Sequence, residues 1–314
     1  MKRGLLLLTI FVALGFGGCR EKPAAKHHIT IGAVRAAYYL PEFVVYKNGY
    51  LAARGYDVEL KIYERNTDMI NDYLSGRLDV VAQGALTLFP MELRYGNRFL
   101  FVYGQNSSSY SFLVPQNSKI SSLQQLQGKT IAIWTSTTAD TAVKLVMLKA
   151  GGIQPKTIDR VDISTLNLVL ANKKADAVFT TDVFISQALR EKWGKYLEPA
   201  PLTHYVLNPF FNGGGFITPE LARREPKIAK DIQGAFDEAI TFIDAHNQDA
   251  RSMLPDFVKT VTLQDAAAAP LDEFVPIDKV DGASAQKLAD LLQAQGFLNS
   301  HLAVDPLFYR AAAK

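Results

Sequence analysis

The chain has a single cysteine, Cys19, among 314 residues. That excludes an internal disulfide. The fold must then be held by its core, which a chain of this length can supply, most simply as two domains. Net charge is also small. The formal net charge is +3, and loss of Lys2 and Arg3 leaves +1. So small an excess gives no footprint for nucleic acid. After Phe16 no run is long and apolar enough to span a bilayer. There are 5 histidines. His27-His28 reads as a solvated pair and no other His stands at ligand spacing, so no metal is expected. The sequence has no glycine-rich dinucleotide loop, no paired catalytic carboxylates and no Ser/His/Asp set, and no cofactor is expected. His204, near Asp182 in the sequence, is the one acid–base candidate.

What is present begins with Met1-Lys2-Arg3, a short basic region. Leu5 to Phe16 follows, apolar apart from Thr9 and glycine, then Gly17-Gly18-Cys19. This is too short to cross a membrane and fits a secretory signal over residues 1–18. The small residues before Cys19 resemble a bacterial lipobox, with Phe16 where Leu is usual. Cys19 would carry the lipid that holds the chain to a membrane outside the cytoplasm, in the periplasm or at the cell surface. Residues 19–28 form a polar tether.

The organising stretch is Ile131–Met147, IAIWTSTTADTAVKLVM. Its first residues suit a buried strand. Thr135-Ser136-Thr137-Thr138 turns the chain, and Val143, Val146, Met147 and Ala150 then recur on one helical face. Thr137 and Asp140 have capping-box spacing. A helix start with free N–H groups, flanked by hydroxyls, is a place to hold a small anion.

Elsewhere strands alternate with helical patterns, which implies a parallel sheet of βαβ units. Ile29–Val34, Val58–Tyr63, Leu78–Ala82 and Phe99–Tyr103 read as strands. The pattern then repeats. Ile31 is matched by Ile131, Leu60 by Val161, and Leu78-Asp79-Val80-Val81 by Ala175-Asp176-Ala177-Val178. Two equivalent lobes are expected, their strand ends aimed at a shared cleft. Asp79 and Asp176 fall at strand starts and read as structural. Phe112–Pro115 and Val206–Phe211, the latter with Gly213-Gly214-Gly215, mark crossings between lobes. The glycines read either as a hinge or as a site of tight packing. The lobes are set at 29–113 plus 214–314, and 114–213. Helices opened by Pro226 and Ser284 pack against them.

The order Ile31-Gly32…Gly55-Tyr56-Asp57-Val58…Leu74-Ser75-Gly76-Arg77-Leu78-Asp79-Val80-Val81…Leu126-Gln127-Gly128-Lys129-Thr130-Ile131-Ala132…Ser136-Thr137-Thr138-Ala139-Asp140 resembles the solute-binding proteins of bacterial ABC importers for alkanesulfonates, nitrate, taurine and thiamine precursors. The resemblance covers Ile29 to Ala311. It implies an α/β, periplasmic-binding-protein-like (type II) fold, two α/β lobes around a central cleft joined by a two-strand hinge. It also implies a monomer that closes on one small solute, delivers it to a permease and an ATPase, and catalyses nothing. Two positions depart from the family pattern. Thr181-Asp182-Val183 stands where Trp-Glu-Pro is common, and Thr135 where Gly usually precedes the Ser.

The candidate ligand contacts follow. Ser136, Thr137 and Thr138 would hold an oxyanion. Arg35, at a strand end, would pair with an anion. Tyr38 and Tyr39 would wall the pocket. Gln83, Thr87 and Thr181 offer polar contacts, and Ala85 with Gly84 lets backbone approach closely. Asp182 points the other way, toward an amine, an amidine or a pyrimidine amino group. Trp134 and Trp193 read as packing residues. Two other classes stay open, an enzyme on the same scaffold and a ligand sensor for a membrane partner.

Overall fold

A computed structural model describes residues 27–311 except Thr260, and the side chain of Ser164 is left out of the description. The signal, Cys19 and most of the tether lie outside the described residues. Among the described residues there are twelve strands, β1 (His28–Val34), β2 (Asp57–Tyr63), β3 (Val80–Gly84), β4 (Leu100–Phe101), β5 (Tyr103–Asn106), β6 (Ser111–Pro115), β7 (Thr130–Trp134), β8 (Thr157–Val161), β9 (Ala177–Thr180), β10 (Gly194–Pro199), β11 (Phe211–Ile217) and β12 (Glu273–Pro276). They form two sheets, β12-β5-β11-β3-β1-β2, with β4 on β11, and β10-β6-β9-β7-β8.

The repeat seen in the sequence is a repeat of topology. β1 lies between β2 and β3, all parallel. β7 lies between β8 and β9 in the same way. An antiparallel strand then follows in each sheet, β11 on β3 and β6 on β9. One contact recurs at the strand starts. An Asp79 carboxylate oxygen accepts from Thr30 N–H at 2.8 Å, and one of Asp176 from Thr130 N–H at 2.9 Å. Each satisfies an amide at a sheet end with a charge-assisted bond.

The chain passes between sheets at residues 107–110 and 200–210, so Phe112–Pro115 belongs to a central strand of the second sheet. The three glycines lie inside β11, where their role is close packing. A Cβ on Gly214 would stand 2.1 Å from the Tyr103 carbonyl oxygen, and one on Gly215 2.1 Å from the Tyr103 ring. Only glycine lets β5, β11 and β3 meet there. Phe101, Phe211 and Phe216 then pack edge to face beneath them.

The helix Pro226–Ala245 buries Ile228, Ile232, Phe236, Ile240 and Ile243, the face its spacing marks out. Each such side chain contributes about 1.5–3 kcal/mol by leaving water. Caps are placed differently from expectation. Ser136, not Thr137, caps the helix Thr137–Lys149, accepting from Ala139 N–H. Asp281, not Ser284, caps Gly282–Ala294, and the Ser284 hydroxyl donates instead to the Pro209 carbonyl. Among the described residues no helix is long and apolar enough to cross a membrane.

Candidate functional site

The carboxyl ends of β1 and β3 face those of β7 and β9 across a cavity of about 720 Å³. Arg35, Tyr38, Tyr39, Gln83, Ser136, Thr138 and Thr181 line it. Ala85, Thr137 and Asp182 do not. Ala85 is the first residue of the helix Ala85–Tyr95, and its side chain is buried. Thr137 follows the Ser136 cap and turns to solvent. Asp182 opens the helix Asp182–Arg190 behind Thr181 and is only 1% exposed.

Several lining residues carry bonds that fix them. Arg35 Nε donates to Glu64 at 2.9 Å and Nη1 to the Phe257 carbonyl at 2.8 Å, so its charge is already matched. Asn66 is the first residue of the helix Asn66–Leu74, with Arg65 at the cap position. Asn66 Nδ2 donates to the Tyr39 hydroxyl at 3.1 Å, and Gln83 Nε2 donates to Asn66 Oδ1 at 2.6 Å. This amide pair ties the wall of the first lobe together. The Thr138 hydroxyl bonds that of Thr87 at 2.7 Å, from lobe to lobe. Gly84 permits this approach, since a Cβ there would meet Thr138 Cγ2 at 2.9 Å.

Aromatic rings supply both walls. Tyr38 and Tyr39 meet edge to face at 5.2 Å. Opposite them Trp134 stacks on Tyr110 at 5.3 Å, and Tyr110 on Phe179 at 5.0 Å. Trp134, read as a packing residue, therefore faces the cavity. Tyr110 gave no signal in the sequence because it lies in a crossing segment with no periodicity.

Asp272 was also missed. It lines the cavity, is 8% exposed, and sits where both crossings meet. Its Oδ1 accepts from Ser109 N–H at 2.6 Å, on the first crossing. Its Oδ2 accepts from Asn212 Nδ2 at 2.6 Å, at the start of β11 just after the second. Burial pushes Asp272 up to about 6, against the pull of these donors. The Ser109 hydroxyl bonds Thr181 at 2.6 Å. Asp182 accepts from Val183 N–H at 2.8 Å and faces the Ala37 amide of the first lobe. Burial, with the charge of Asp272 second, pushes Asp182 up to about 7. A second contact latches the lobes. Arg190 Nε and Nη2 grip the two oxygens of Asp265 at 2.7 and 3.0 Å. His204 lies apart, paired with Glu198 at 2.6 Å. Among the described residues no group of His, Cys, Asp and Glu is arranged to hold a metal ion.

Two lobes of like topology, with aromatic and polar strand ends closing on a common cavity, define a periplasmic-binding-protein-like fold. The model of the family described as NMT1/THI5 like matches residues 36–250, and the chain belongs to that family. No curated protein sequence matches it. Solved structures give the same fold at low identity. The alkanesulfonate-binding protein SsuA from Xanthomonas axonopodis pv. citri, bound to MOPS, is 17% identical with a TM-score of 0.74, covering 92% of this chain and 100% of its own. The periplasmic nitrate-binding protein NrtA from Synechocystis PCC 6803 is 14% identical with a TM-score of 0.69, covering 88% and 83%. The desulfurization enzyme DSZB is 15% identical with a TM-score of 0.66, covering 90% and 96%.

Proposed function

We propose that this chain is the extracytoplasmic solute-binding component of an ABC import system. It takes up one small solute of the sulfonate, nitrate or thiamine-precursor kind between its lobes and passes it to a permease and an ATPase. The observation that carries this reading is a cavity of about 720 Å³ walled by strand ends from both lobes. Binding there stabilises the closed arrangement, because each lobe supplies part of the wall. In this reading the chain works as a monomer, is exported by residues 1–18 and is tethered through a lipid on Cys19. It needs no cofactor and performs no catalysis. Among the described residues the cavity lining holds neither cysteine nor histidine.

A thermal-shift screen of sulfonates, nitrate, amino-sulfonates and pyrimidines tests the proposal. A fitting solute at a hundredfold excess over its Kd adds about 2.7 kcal/mol of stability. The solute should be recovered unchanged after incubation. Turnover of the solute, or a folded chain that answers to none of these compounds, would count against the reading.

A further inference from the structure

The hydroxyls expected to cradle an oxyanion offer few free donors, and on the aromatic wall the buried Tyr38 hydroxyl is unpaired. Of the hydroxyls that would cradle an oxyanion, Thr138 is engaged with Thr87, Thr181 with Ser109, and Thr137 faces solvent. The Ser136 oxygen accepts its cap bond, which leaves its O–H as a donor. The Asn66 amide donates to Tyr39 and Gln83, while Gln83 Nε2 donates to Asn66 and Asn212 Nδ2 to Asp272. The cations stand where they are matched or wet. Arg35 is paired with Glu64, Arg65 with Asp68, and Lys259 is exposed.

Asp272 is the counterpart. It is a buried carboxylate on the cavity wall, held by neutral donors from Ser109 and Asn212. Among the described residues no Lys, Arg or His pairs with it, and the charged or titratable groups around it are Asp182, Tyr38 and Tyr110. A buried charge with no countercharge is costly unless a ligand provides one. Beside it the Tyr110–Trp134 stack faces the Tyr38–Tyr39 pair, a slot for a flat conjugated body with a favourable face for positive charge.

Resting on the solute-binding reading, we infer that Asp272 is the specificity residue of the cavity and that the solute is a flat nitrogen compound presenting a protonated amine, amidine or ring N–H to it, rather than an oxyanion. Asp272 would accept one or two hydrogen bonds through the lone pairs that Ser109 and Asn212 leave free, while the rings sandwich the plane.

Four rigid probes of similar size test this by calorimetry and thermal shift. Benzamidine and 4-aminopyridine are the cations, and benzenesulfonate and benzoate the anions. The cations should bind and the anions should not. Asp272→Asn should weaken the cations about 30-fold or more, the usual cost of removing one partner of a buried charge pair. A second measurement needs no variant. Neither benzamidine nor benzenesulfonate titrates between pH 5 and 8, so wild-type benzamidine affinity should fall as the pH drops through the range where Asp272 and Asp182 take up protons. Anion binding with no cation binding, or a benzamidine Kd flat from pH 5 to 8, overturns the inference while the solute-binding reading stands. If no probe or screened solute binds, both fall together.

Discussion

The two triplets of parallel strands, β2-β1-β3 and β8-β7-β9, are alike at one end and different at the other. At their starts the same solution is used twice, Asp79 on Thr30 N–H and Asp176 on Thr130 N–H. At their ends β1 runs into Arg35–Tyr39 and β7 into Thr135–Thr138. The starts meet only their own sheet, so one geometry serves both. The ends meet a cavity and the opposite lobe, so each is shaped by what it faces. Thr138 is an instance, since its hydroxyl meets Thr87 of the other lobe instead of standing free for a ligand.

The comparison can be broken most severely at β11, which has no glycine-rich counterpart in the second sheet. Gly214→Ala drives a Cβ into the Tyr103 carbonyl. It should cost about 3 kcal/mol or more, read by urea unfolding, or abolish folding. The analogous strand of the other lobe, β6, carries ordinary side chains, and Leu113→Val there should cost only about 1 kcal/mol. Equal losses would dissolve the contrast.

Next in size is the latch between lobes. Arg190→Met leaves the fully buried Asp265 carboxylate with Thr262 alone, and should cost about 2–3 kcal/mol. Asp79→Ala and Asp176→Ala sharpen the duplication. Each removes a charge-assisted bond to a backbone amide, and each should lose about 1–3 kcal/mol. A difference well beyond that spread would show that the two starts are not equivalent.

A slope with pH is expected as well. Burial raises Asp182 to about 7, Asp272 to about 6 and Glu42 to about 8. The folded protein therefore binds protons that the unfolded chain has released. The sign follows from linkage, with stability falling as pH rises from about 5 to 8. Asp265 has the opposite sign. Burial acts to raise it, but the Arg190 guanidinium and the Thr262 hydroxyl hold it below the usual carboxylate range, so its contribution is lost only in stronger acid. Urea midpoints of the ligand-free protein at pH 5.5 and 8.0 decide. A higher midpoint at pH 8.0 would contradict the assignment.

Much of the fold was legible. The alternation of strand and helix and the recurrence near 100 residues gave two α/β lobes, because periodicity is local and survives in one dimension. Where residues stood on regular elements the reading held, as with Asp79, Asp176 and the apolar face of Pro226–Ala245. Boundaries shifted where a turn could start a helix in two places. Ala85 and Thr137 left the cavity by that route. The cavity was half legible, since strand ends are predictable and crossing segments are not. Tyr110, Asn212 and Asp272 lie far apart in the sequence and meet only where the chain changes sheets.

By itself the sequence determined the sheets, the duplication and which strand ends would face inward, because apolar spacing and turn residues act over a few neighbours. Only the tertiary structure decided which polar groups are spent on each other and which remain for a guest. That choice depends on distant partners, such as Thr87 for Thr138, 51 residues away, and Ser109 for Asp272, 163 residues away. Burial then sets the charge balance of the cavity, and burial is a property of the folded chain alone.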